Sequence, residues 1–95
     1  MTDAAAPRRV RVRVEGRVQG VAFRAHTADA ARAAAVAGWV RNRTDGSVEA
    51  CLEGAPDAVE RVVAAMRAGP RFARVRTLEI WDEASEGDRF FEIRR

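Results

Sequence analysis

Valines at 10, 12 and 14 alternate with arginines at 9, 11 and 13, the period of two that a strand with one buried face imposes. This predicts a first strand over Arg8 to Val14. The period then lengthens. Phe23, Thr27, Ala30 or Ala31, and Ala34 fall near one face of an alanine-rich helix running from about Phe23 to Val36. Gly38 ends that stretch, and Trp39 to Arg43 is short and β-prone. Asp45-Gly46 is a hairpin signal, after which Ser47 to Glu53 sets Val48, Ala50 and Leu52 against Glu49, Cys51 and Glu53. Gly54 leads into a second helix with Pro56 near its first turn and Asp57 and Glu60 at its positive end. Val59, Val62, Val63 and Met66 give that helix its core stripe, and Gly69-Pro70 stops it. Val75 to Asp82 and Arg89 to Ile93 are the last strands, turning through Glu86-Gly87-Asp88 as a terminal hairpin.

The order β-α-β-β-α-β with a fifth strand is an α+β, ferredoxin-like split βαβ arrangement, with two helices on one face of a five-stranded antiparallel sheet. Parity assigns Arg9, Arg11 and Arg13 to the sheet's other face with Glu49, Glu53, Glu79 and Glu92. That face is expected to be solvated and charge-balanced. Residues 1–7 read as a short flexible tail and residues 8–95 as one domain, since 95 residues support a single modest core.

Composition narrows the functional classes. Every basic residue is arginine, but the net charge is only +3 and the arginines are dispersed, so no nucleic-acid footprint emerges. An RNA-recognition sheet would also present stacking aromatics, where this chain presents Arg and Glu. No apolar run approaches the roughly 20 residues of a membrane span, and the first residues lack the pattern of a signal peptide. Cys51 is the single cysteine, which excludes an internal disulfide and points to a cytoplasmic protein.

The candidate chemistry lies at Gly16-Arg17-Val18-Gln19-Gly20-Val21-Ala22-Phe23-Arg24, between the first strand and the first helix. Glycines let consecutive backbone N–H groups converge, and a helix N-terminus adds unpaired donors and positive potential. Arg24, in the first helical turn, carries a planar fork that suits phosphate oxygens. A phosphate-sized anion is the expected ligand. Other residues invite blander readings: His26 as a surface helix histidine, Cys51 as an incidental thiol with outward or edge parity, Asp45 as a turn residue, Trp39 as packing beside the site. Arg17 and Arg41 read as solvated arginines or as added positive potential at its mouth.

That loop, with Gly38-Trp39-Val40-Arg41-Asn42, Asp45-Gly46-Ser47-Val48-Glu49, Gly54 and Gly69-Pro70 followed by Ala73 and Val75, resembles the acylphosphatase family in order and spacing over nearly the whole chain. The resemblance implies hydrolysis of acyl phosphates to carboxylate and inorganic phosphate, without metal or cofactor. It implies that Arg24 and Asn42 are catalytic, and that Gln19, Gly20, Val21, Ala22, Phe23 and Arg24 bind the substrate phosphate while Asn42 positions the attacking water. Partners are then confined to the small-molecule acyl phosphate and its inorganic phosphate product, for a monomer that engages neither nucleic acid nor membrane. The other reading is a non-catalytic module that binds a phosphorylated ligand. The chain departs from the family pattern at Ala22, at Ala34-Ala35 in place of Leu-Gly, and at Arg94-Arg95 in place of a terminal aromatic. Without glycine at 35, the first helix is expected to run on towards Gly38.

Overall fold

The arginine–valine stretch forms strand β1 (Arg8–Arg17), and helix α1 follows over Phe23–Ala33. β2 (Ala37–Asn42) and β3 (Val48–Gly54) make the hairpin, α2 spans Pro56–Ala68, and β4 (Arg74–Glu83) and β5 (Phe91–Arg94) complete the chain. The computed structural model describes residues 6–95, so most of the tail expected at residues 1–7 lies outside the described residues.

The strands lie in the order β4-β1-β3-β2-β5. Val10, Val12, Val14, Val40, Val48, Ala50 and Leu52 share one core with Phe23, Ala28 and Ala31 of α1 and with Val59, Val62, Val63 and Met66 of α2. Burying each Val, Leu, Phe or Met side chain contributes roughly 1.5–3 kcal/mol, so the helix-covered side of the sheet carries most of the driving force. At Gly16 (φ 132°) a Cβ would stand 2.1 Å from the Arg74 carbonyl oxygen. Glycine alone lets β4 close against the end of β1, where the register shifts between Glu15 and Gly16 and the chain leaves the sheet for the loop.

Four expectations are corrected. The sheet is mixed, not antiparallel throughout, because β5 pairs in parallel with β2 through Gly38↔Phe91 and Val40↔Ile93. β4 and β5 therefore form no hairpin; they occupy opposite edges, and residues 84–90 cross the sheet between them. Polar bonds hold that crossing. Glu53 accepts from the Ser85 hydroxyl and from the N–H groups of Glu86 and Gly87 (3.1 and 3.0 Å), while Asp88 accepts from Arg9 at 2.8 Å. The charged face is consequently covered at this end instead of solvated: Arg9 and Glu53 are 4% and 5% exposed.

The fourth correction concerns α1, which stops at Ala33 short of Gly38. Ala35 adopts φ 56°, and the N–H groups of Val36 and Ala35 return to the carbonyls of Ala31 and Arg32 at 2.8 and 3.3 Å. This is a Schellman closure built on alanine. The two bonds and the burial of Val36 outweigh the left-handed strain.

Candidate active site

The loop between β1 and α1 presents open donors. Gly20 and Ala22 both take left-handed φ, 75° and 64°, which swings neighbouring N–H groups towards one side. No backbone carbonyl of the described residues accepts from the N–H groups of Gly20, Val21, Ala22 or Phe23. Ala22 is the N-cap of α1 and brings no capping oxygen, and the first turn contains no acidic side chain. The start of α1 thus leaves its unpaired donors and positive dipole end to an external anion.

The other expected site residues converge on this loop in different ways. Arg24 donates through Nη1 to the Arg94 carbonyl at 3.2 Å, so β5 steadies the guanidinium beside the loop. Asn42 ends β2, two residues beyond the buried Val40. A cavity of about 230 Å³ has Gly20, Ala22, Phe23, Arg24, Asn42 and Ile93 in its wall, a space suited to a small ligand. Val21 packs against the core instead of lining it. The Gln19 carboxamide is engaged elsewhere, donating to the carbonyls of Arg43 and Ser47 at 2.7 and 2.9 Å. It staples the loop to the β2–β3 hairpin, next to Asn42.

Glu49 supports the same corner from the opposite face of the sheet. Arg11, Arg41 and Arg43 bridge to it at 2.8, 2.8 and 3.1 Å. Burial alone would raise the Glu49 carboxyl, but the hydrogen bonds from these guanidinium groups hold it below its usual value. Arg41 also lies over the Trp39 ring at 5.3 Å, with Arg11 and Arg94 at 5.5 and 4.8 Å. Arg41 is thus tied to the charged face and is not a free solvated arginine, Trp39 is buried on that face, and Arg17 is exposed at the end of β1. Asp45 has its turn role, accepting from the N–H and hydroxyl of Ser47.

His26 is half-buried where a surface residue was expected. Its Nε2 lies 2.9 Å from the Ala65 carbonyl of α2, so the ring faces the helix pair and not the cavity. Cys51 is buried too, with Sγ 3.6 Å from Glu83, and burial pushes its thiol up. Among the described residues no group of three or more His, Cys, Asp or Glu side chains is placed to hold a metal, and no helix is long and apolar enough to cross a membrane. Ile93 and Arg94 are the site residues that sequence reasoning missed. With β5 assigned to a hairpin with β4, nothing placed them beside the loop.

The Acylphosphatase family model matches residues 10–93. The chain belongs to the acylphosphatase family. An acylphosphatase of Salinibacter ruber is 47% identical over 89 residues, covering 93% of this chain and 94% of the relative. One from Rubrobacter xylanophilus is 50% identical over 95 residues, covering 99% and 86%. The crystal structure of the acylphosphatase from Bacillus subtilis has a TM-score of 0.90 at 37% identity, covering 93% of this chain and 99% of that one. As a member of the acylphosphatase family, the chain is an enzyme that hydrolyses acyl phosphates to a carboxylate and inorganic phosphate.

Proposed function

We propose that the N–H groups of residues 20–23 and the Arg24 guanidinium bind the phosphoryl group of the acyl phosphate, and that Asn42 positions the attacking water. The observation that carries this assignment is the shared cavity: open loop donors, Arg24 and Asn42 border the same space of about 230 Å³. The water oxygen bonds to phosphorus as the phosphorus–oxygen bond to the acyl group breaks. That electron pair leaves on the carboxylate, which is already a good leaving group. Positioning and charge stabilisation then suffice. Arg24 and the loop amides meet the charge that spreads over the non-bridging oxygens, and the water's proton passes to a phosphoryl oxygen of the substrate. Gln19 acts through the loop's position, not by contact. No step calls on a metal or cofactor.

The remaining assignments follow from the same reading. Residues 8–95 act as one domain and as a monomer, in which a single chain supplies the loop amides, Arg24 and Asn42. The protein works in the cytoplasm on small molecules, without nucleic acid.

Two variants test the division of labour, with rates measured in the presence of chelator. Arg24→Gln should weaken binding of inorganic phosphate and also collapse kcat, because the guanidinium meets the phosphate in ground and transition states. Asn42→Ala should lose roughly 10²–10³ in kcat, the range for removing one positioned polar group, while calorimetry shows phosphate binding near the unaltered affinity. Loss of phosphate binding in Asn42→Ala as complete as in Arg24→Gln would put Asn42 in the cradle.

A further inference from the structure

Phosphate and water recognition occupy only part of the cavity wall. With the phosphoryl oxygens on the loop amides and Arg24, and the water on Asn42, the acyl group of the substrate meets what remains. Val18 and Phe23 border the cavity but are 1% and 2% exposed, already committed to the core. Ile93 differs. It borders the same cavity while 43% exposed, on the edge strand β5. Its register neighbour Val40 is fully buried on the helix side, so Ile93 also faces that side and not the charged face. Arg94, the next residue, accepts the Arg24 hydrogen bond at 3.2 Å, which fixes Ile93 close to the phosphate-binding cation.

We infer that Ile93 is a specificity-determining residue, an apolar platform for the acyl group that favours acyl phosphates with aryl or branched alkyl groups over acetyl phosphate. The inference rests on the phosphate site proposed above. In an acyl phosphate only a bridging oxygen and the carbonyl carbon separate the variable group from phosphorus, so that group leaves the cradle within reach of the cavity wall. An isoleucine left open there gains from being covered by apolar surface and disfavours a charged group, whose desolvation it cannot offset. The nearby cations do not supply an anion site instead, because Arg41 and Arg43 are both bridged to Glu49.

The experiment compares kcat/KM for benzoyl phosphate and acetyl phosphate in the unaltered protein, Ile93→Ala and Ile93→Leu, together with inhibition by inorganic phosphate. In Ile93→Ala the benzoyl-to-acetyl ratio should fall roughly threefold to tenfold, below the full range for methylenes lost from a closed pocket because this wall is open on one side. Ile93→Leu should restore the ratio, and phosphate inhibition should hold steady in both. Should Ile93→Ala fail to fold, Ile93→Thr keeps the β-branched shape and must show the same fall. An unchanged ratio, or a parallel loss on both substrates, overturns the role of Ile93 while leaving the phosphate site standing. Phosphate inhibition that survives Arg24→Gln unaltered would instead remove the phosphate site, and this inference with it.

Discussion

Ala35 and Gly38 lie either side of the entry into β2, both with positive φ, 56° and 129°, yet they should respond oppositely to exchange. Ala35 adopts a left-handed conformation that costs an L-residue roughly 1–2 kcal/mol, and the Schellman bonds hold it there. Ala35→Gly removes that strain but adds unfolded-chain freedom of about 0.4–1 kcal/mol. The expected outcome is a gain of up to about 1.6 kcal/mol, read as a Tm higher by a few degrees; a lower Tm would show that Ala35 is unstrained. At Gly38 a Cβ would stand 1.9 Å from the Cys51 carbonyl oxygen. Gly38→Ala must push β2 off β3 and should lower Tm sharply. The helix end is not legible in the sequence, because two back-bonds that no local residue pattern announces replace the missing glycine. The catalytic candidates were more legible: the glycines, the strand-to-helix change of period and Arg24 all lie within nine consecutive residues.

Elements, unlike residues, need partners, and β5 shows how far the sequence carries. Its apolar content marked a strand, but an edge strand of four residues contains no statement of its neighbour. The parallel pairing with β2 depends on Arg9 and Glu53, register partners on β1 and β3, whose bonds to residues 85–88 form only once the crossing is made. Glu53 accepts from Ser85, Glu86, Gly87 and Arg9, so it is the anchor of residues 84–90. Glu53→Gln keeps the size and removes the charge. The expected cost is about 3 kcal/mol, the lower end for removing one partner from a buried pair, and the N–H groups of Glu86 and Gly87 should exchange faster while those of α2 change less. Uniform acceleration across the chain would mean that Glu53 supports the whole fold evenly and does not secure this crossing in particular. Ile93 and Arg94 follow the crossing into place, which is why the β5 side of the cavity was hidden at the sequence level.

Across the whole molecule the two faces of the sheet are stabilised by different physics. The helix-covered face packs an apolar core. The opposite face is an array of arginine–carboxylate bonds, in which Glu49, Glu53 and Glu83 are held low. For Glu53, burial works to raise the carboxyl, but the Ser85 hydroxyl, the N–H of Glu86, the Arg9 guanidinium and the N–H of Gly87 prevail and hold it to about 2, against an ordinary 4.5. Glu83 is lowered chiefly by its hydrogen bond from Arg11, Glu49 by its arginines against burial, and Asp45 by the Ser47 hydroxyl. An acid depressed in the folded state is protonated first in the unfolded chain, so acidification favours unfolding. The Glu53 contribution is therefore present above about pH 4.5 and is lost as pH falls towards about 2. The urea midpoint, followed by circular dichroism, should hold near neutrality and decline steeply across that window. Glu53→Gln should start lower and decline less, so that the two curves converge at the acid end. Parallel curves down to pH 2 would show that the Glu53 carboxyl titrates alike in folded and unfolded chains, and that its bonds to the crossing do not link stability to pH.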